Sequence, residues 1–242
     1  MLKRVLSAGL LAVFSATTVA FAASPMPMTK SKPMPMASKK PAEAPTPNPK
    51  PSGEELAFVT GIQADLTKRF PTAADAEKAG YQRYTMEDNT GAISYANRQW
   101  QSVDAQHPSQ LWYDVNGNLI GADFSILKSN SPKAPKIWGI DPARWLSFGH
   151  PHYHYIIKDP KTGALRYGAY GGKMLKKMHI TAPGSIGAAM TASKAAKADV
   201  VTYFTFPALW DLQVWVKDNP NGAFAEKNPN VIPSKDAEKD SM

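Results

Sequence analysis

Apolar residues recur at helical intervals in the first patterned part of the chain, with the spacing of one face of an α-helix. Ser52 and Glu55 have the spacing of a capping box and mark the start of this helix, and Pro71 ends it. Thr72 is a suitable cap for a second, shorter helix that ends at Gly80. The apolar face of the first helix is formed by Leu56, Val59, Ile62, Leu66 and Phe70.

Beyond the helices, apolar and polar residues alternate, which is the period of a β-strand. Segments 110–115 and 118–127 flank Asn116-Gly117, a dipeptide that predicts a hairpin with a type I′ turn. Segments 150–158 and 164–170 flank a five-residue loop and predict a second hairpin.

The same alternation predicts two further strands at 200–206 and 209–216. The proline-spaced segment 131–145 indicates an ordered loop that packs tryptophans, and the alanine-rich segment 185–198 favours a helix. Helices first and strands later predict an α+β fold: a single compact domain at 53–227, with a mainly antiparallel sheet built from hairpins.

The first 22 residues have the pattern of a cleavable signal peptide. Lys3 and Arg4 precede an apolar run that ends in Ala20-Phe21-Ala22, where small residues flank the expected cut before Ala23. We therefore expect a periplasmic or secreted protein without a transmembrane segment after cleavage. The chain has no cysteine, which excludes disulfides and thiolate metal sites.

Segment 23–52 is rich in methionine, proline and lysine, a composition that predicts a disordered linker. This segment contains five lysines and one glutamate, so much of the net charge of +8 lies outside the folded body, which carries only +3. This distribution argues against a nucleic-acid partner. It allows the basic linker to contact an anionic component of the cell envelope. Segment 228–242 is polar and predicts a flexible tail.

Three histidines alternate with other residues in the strand predicted at 150–158, and imidazoles two positions apart lie on one face. His150, His152 and His154 thus predict a site for copper or zinc, with His179 as a further ligand. Asp123 and Asp211 are also available as ligands. The alternatives are structural histidines in a non-catalytic cell-envelope or surface binding protein, a haem-binding protein, and a metal-dependent enzyme.

Two pairs of methionines in the linker supply soft thioether ligands that prefer Cu(I). They are auxiliary candidates beside the histidine strand and make copper the first choice of metal, whereas the alternative is a plain spacer. No nucleophile motif or pair of catalytic acids stands out, so a binding function is favoured over catalysis. The paired methionines are Met26 and Met28, and Met34 and Met36.

The segment ALWDLQVWVKDNPNGAFAEKNPNV at 208–231 resembles a group of secreted bacterial proteins of unassigned function, as do segments 73–81, 94–97 and 108–124. The signature of that group reads L-[HQ]-V-W-x-x-x-x-N-P-x-G-x-F-A-x-x-N-P. The resemblance implies a compact, exported single domain. The group tends to have histidine where this chain has Ser94 and Gln213, and glutamate where it has Asp123. A polar centre at these positions is either lost here or moved to residues 150–154.

Overall fold

The computed structural model describes residues 50–100, 104–148, 152–171, 194 and 198–238. The predictions for the signal peptide, for the methionine pairs, for His150 and His179, and for most of the helix at 185–198 lie outside the described residues.

Helix α1 (Gly53–Arg69) begins at the predicted capping box: the Ser52 hydroxyl accepts a hydrogen bond from the Glu55 amide, and the Glu55 carboxylate accepts one from the Ser52 amide. Most of its apolar face is buried, but Leu56 is 52 % exposed. Glu55 is buried instead, because its carboxylate pairs with Arg144 at 3.0 Å. The first turn of α1 is therefore held by an ion pair where an apolar contact was expected.

Helix α2 (Ala73–Lys78) is capped by Thr72, whose side chain accepts a hydrogen bond from the Asp75 amide. The chain leaves it through Gly80 at φ +89°, a conformation that favours glycine. Neither helix, and no other helix in the described ranges, is long and apolar enough to cross a membrane.

Nine strands in the described residues form two sheets, and the neighbouring strands in both are antiparallel. The order is β1-β2-β3-β4-β9-β5 in the larger sheet and β7-β6-β8 in the smaller one. The fold is thus α+β, with helices first and antiparallel strands after them. The strands are β1 Gln82–Arg83, β2 Ile93–Ala96, β3 Gln110–Tyr113, β4 Leu119–Leu127, β5 Leu146–Phe148, β6 His152–Lys158, β7 Leu165–Gly171, β8 Asp199–Phe206 and β9 Leu209–Trp215.

The turn between β3 and β4 differs from the predicted type I′ turn, which needs positive φ at both central residues. Only Gly117 has positive φ, at +77°. Its amide donates to the Asp114 carbonyl, and the Asp114 carboxylate accepts from the amides of Asn116 and Asn118. This is a three-residue loop with glycine at the left-handed position. The carboxylate of Asp114 stabilises it, a contact that the Asn-Gly pattern does not reveal.

Helix α1 packs on one face of the six-stranded sheet and forms the main core there. Its Val59, Ile62 and Leu66 contact a set of strand residues that alternate along β3, β4 and β9. That set comprises Leu111, Tyr113, Ala122, Phe124, Leu212 and Val214. Alternation along the strands puts the intervening residues on the opposite face.

The described part of the C-terminal segment packs on the domain, so the folded region continues past the boundary predicted at residue 227. Val231 is 6 % exposed and contacts Trp112 and Trp215 in a second apolar cluster. The buried amide of Asn228 donates to the carbonyls of Lys217 and Asp218. These contacts hold residues 228–231 against the domain, because the asparagine side chain binds carbonyl groups that would otherwise need water as a partner.

Candidate functional site

The face of the six-stranded sheet opposite α1 forms one wall of a cleft with a volume of about 610 Å³. The three-stranded sheet contributes the other wall through side chains of β6, β7 and β8. The cleft thus lies between the two sheets. Its volume is within the usual range for sites that bind small molecules.

Two buried carboxyl groups from neighbouring strands lie on this wall. Asp123 of β4 is opposite Gln213 of β9, and Asp211 of β9 is opposite Ser125 of β4. Residues two apart share a face of a strand, so both carboxyl groups face the same side. They are 5 % and 4 % exposed. The indole N–H of Trp112 donates to Oδ2 of Asp123 at 3.0 Å.

Each carboxyl group keeps one buried oxygen, Oδ1, without a hydrogen-bond partner among the described residues. Burial raises the pKa of both, and the Asp211 carboxyl raises that of Asp123 further. Hydrogen bonds from Trp112 and Ser125 oppose the rise but do not cancel it. The pair therefore holds a proton at a pH where exposed carboxyl groups are ionised.

His152 and His154 lie on one face of β6, as the sequence predicts, and both line the cleft. Their ring centroids are 4.9 Å apart. His154 is 3 % exposed, stacks on Phe204 and meets the edge of Tyr84. Burial, with a contribution from His152, lowers the pKa of His154 to about 3. This imidazole is therefore neutral at physiological pH, which is the form that binds metals.

Comparisons with models of protein families, with curated proteins and with solved structures found no match to this chain. The geometry of the cleft is therefore the basis for inferring a function.

Both groups of residues that the sequence singles out meet in this one cleft. The chain differs from the group of secreted proteins that it resembles at Ser94, Asp123 and Gln213. These residues lie on β2, β4 and β9, on the same face of the six-stranded sheet, and they line the cleft. His152 and His154 face them from the smaller sheet. A polar centre that moved from the first three residues to His152 and His154 would therefore still lie in this cleft.

A metal centre requires several ligands around one point. Among the described residues, no group of three or more histidine, aspartate or glutamate side chains is arranged to hold a metal ion. His150 and His179 lie outside these residues. Of the four histidines predicted to bind copper or zinc, the described residues include His152 and His154, and the metal site remains a prediction.

Two further polar residues of the cleft, Tyr84 and Gln110, are not among those predicted from the sequence. The Tyr84 hydroxyl donates to the Gln110 side chain, and both residues are buried. Gln110 and Asp123 are directly paired across β3 and β4. The sequence does carry a signal for a polar site, since Gln110, Asp123 and Asp211 interrupt strands that are otherwise largely apolar. Only the order of the strands in the sheet shows that these residues lie close together.

Proposed function

We propose that this protein is an exported, non-catalytic binding protein that holds a small polar molecule in the cleft between its two sheets. The observation that carries the proposal is the pair of buried carboxyl groups, Asp123 and Asp211, each with an unpartnered oxygen at a cleft of about 610 Å³. Buried polar atoms without partners are rare because they lose hydrogen bonds to water. A bound molecule with N–H or O–H donors would supply the missing partners.

Export is the part of this proposal that rests on sequence alone, through the signal-peptide pattern of residues 1–22. The binding part is supported by the composition of the walls. Aromatic rings and polar side chains line the cleft together, a combination that can hold a small organic molecule and fix its orientation. The aromatic residues are Tyr84, Trp112, Phe148, Tyr155, Tyr167, Phe206 and Trp215.

A thermal-shift screen tests the binding function, because a molecule that binds only the folded state raises the melting temperature. The panel contains amino acids, 1,4-diaminobutane, spermidine, N-acetylglucosamine oligomers and soluble peptidoglycan fragments. Ser94→Tyr adds a ring to a residue that lines the cleft, and Ser129→Tyr adds the same ring at an exposed turn. We expect at least one compound to stabilise the wild type and Ser129→Tyr but not Ser94→Tyr. Equal shifts in the two variants for every compound, or no shift at all, would contradict the proposal.

A second candidate function is binding of copper or zinc by His152 and His154. The observation that favours it is the pair of adjacent imidazoles on one cleft wall, one of them held neutral by burial. Elemental analysis of the purified protein tests it, with the double variant His152→Ala/His154→Ala. His107→Ala is the matched control, because His107 stacks on Trp100 and binds Asp104 away from the cleft. Metal that the control retains and the double variant loses supports this function. A protein without metal, whose melting temperature is insensitive to added Cu²⁺ and Zn²⁺, excludes it.

A further inference from the structure

The cleft is acidic although the protein as a whole is basic. Five acidic residues line it, and no lysine or arginine is among its described lining residues, whereas the chain carries a net charge of +8. A cleft lined by one sign of charge concentrates the field and attracts ligands of the opposite sign. The acidic residues are Asp88, Asp123, Asp211, Glu226 and Glu238.

An independent observation gives this charge a specific target. Oδ1 of Asp123 and Oδ1 of Asp211 are the two buried carboxylate oxygens without partners in the described residues. Their residues are diagonal neighbours on β4 and β9, so one bound group can reach both. A cation beside the pair favours release of the proton that the pair otherwise holds, because a nearby positive charge stabilises the ionised form. Ionised carboxylates only accept hydrogen bonds. The complementary group therefore carries several N–H donors and a positive charge.

The aromatic residues beside the carboxyl groups favour a cation as well. Trp112 and Trp215 line the cleft with ring centroids 5.4 Å apart, in an edge-to-face arrangement. Trp112 is also the residue whose indole holds Asp123. Tryptophan binds cations over its face more strongly than any other side chain. Tyr167 also lines the cleft, but its ring already has a cation beside it: the guanidinium of Arg83, which is not among the lining residues, lies 4.6 Å from the ring centroid. The tryptophans are therefore the better position for an added cation.

An organic cation fits this cleft better than a bare metal ion. The described histidine, aspartate and glutamate side chains do not converge on one point. The volume of about 610 Å³ also exceeds that of an ion many times over and matches a small organic molecule.

We propose, on the basis of the binding function proposed above, that the ligand is a small aliphatic amine whose protonated amino group lies against Asp123 and Asp211. The N–H groups donate to the two unpartnered oxygens, and the alkyl chain packs on Trp112 and Trp215. Glu226 and Glu238, which are exposed, attract the ligand from solvent.

Calorimetric titration with 1,4-diaminobutane at about pH 8 tests this proposal, with 1,4-butanediol as the neutral compound of similar shape. We expect the diamine to bind and the diol to bind at least about tenfold more weakly, since the diol lacks the charge-assisted hydrogen bonds. Asp123→Asn and Asp211→Asn should each weaken diamine binding by about tenfold or more. Glu77→Gln, which removes an exposed charge on α2, should leave it unchanged.

Tetramethylammonium separates hydrogen bonding from charge alone, because it has no N–H group. If it binds as tightly as the diamine, or if both aspartate variants bind the diamine normally while remaining folded by circular dichroism, the proposal is wrong. If a neutral compound binds and Ser94→Tyr abolishes that binding while amines do not bind, the amine proposal fails and the binding function stands. If no compound of the panel binds, both proposals fail.

Discussion

The two faces of the six-stranded sheet are made by the same strands, but they treat buried polar groups in opposite ways. On the helix side, the buried carboxylate of Glu55 is paired with Arg144 at 3.0 Å and bound by the Ser52 amide. Burial opposes ionisation there, but these hydrogen bonds lower the pKa of Glu55. On the cleft side, Asp123 and Asp211 are equally buried and their pKa values are raised.

The difference is the one that the proposed binding function requires, with one face adapted to stability and the other to a ligand. Removing a neutral polar group from water without a compensating hydrogen bond costs of order 2–7 kcal/mol. Removing an ionised carboxylate without a partner costs more. The helix face supplies those partners within the protein. The cleft face does not, although Trp112 and Ser125 provide part of them. If the proposed function is correct, the cleft face retains this energetic cost because ligand binding requires it.

Neighbouring residues of β9 give the sharpest test, because Leu212 faces the helix and Gln213 faces the cleft. Leu212 is fully buried, so Leu212→Ala should lower the free energy of unfolding by about 3 kcal/mol. Gln213→Leu replaces a half-buried cleft residue and should change it by less than about 1 kcal/mol. Urea unfolding with an unchanged m-value checks both. A larger loss for Gln213→Leu than for Leu212→Ala would overturn the contrast between the faces.

The sequence predicts the helix face far better than the cleft. The spacing of Val59, Ile62 and Leu66 and the capping box at Ser52 depend on neighbours in the chain, and the structure has both. The strands β3, β4, β6, β7, β8 and β9 follow from alternation. The pairing of β9 with β4 joins segments almost 90 residues apart, and no local pattern specifies it. Asp123 and Asp211 become one site only through that pairing.

Short and irregular elements were missed for a related reason. β1 and β5 have two and three residues, too few for alternation to be recognised. β2 has four residues, as β3 does, but it lacks the Asn-Gly turn signal that follows β3. Partners in the sheet stabilise β1, β2 and β5. Segments 1–49 and 172–193 lie outside the described residues. The signal peptide, the linker and the sites at His179 and the paired methionines therefore stay predictions.

The pH dependence of stability caused by His154 is a second test of the contrast between the two faces of the sheet. The pKa of His154 is lowered from 6.5 to about 3 by burial and by His152. Its contribution to stability is complete above pH 6.5 and is lost as the pH falls toward 3. Between pH 7.5 and 4.5, wild type should lose about 2–3 kcal/mol relative to His154→Gln.

Denaturant unfolding of both proteins at several pH values measures this difference. His107→Gln provides the control, since His107 lies outside the cleft on the Trp100 ring. A difference between wild type and His154→Gln that does not change with pH would show that the cleft does not keep this imidazole neutral.

The carboxyl pair should show the opposite pH dependence. Burial raises the pKa of Asp211 from 3.8 to about 7, so the folded protein binds more protons than the unfolded chain between these values. Stability therefore falls as the pH rises through this range. Asp211→Asn removes the titrating group and should stabilise the protein at pH 8. We expect a gain of about 1–2 kcal/mol, less than full removal of the cost because the amide also lacks partners.

At pH 4 most of the gain from Asp211→Asn should disappear, because wild-type Asp211 is then protonated in the folded protein and close to half protonated in the unfolded chain. Asp199→Asn makes the same chemical change on the exposed start of β8 and controls for it. If Asp211→Asn destabilises the protein at pH 8, the carboxylate contributes to folding and the cleft face resembles the helix face. If it stabilises the protein and weakens amine binding, the same unpartnered oxygen both costs stability and recognises the ligand, which is the difference between the two faces.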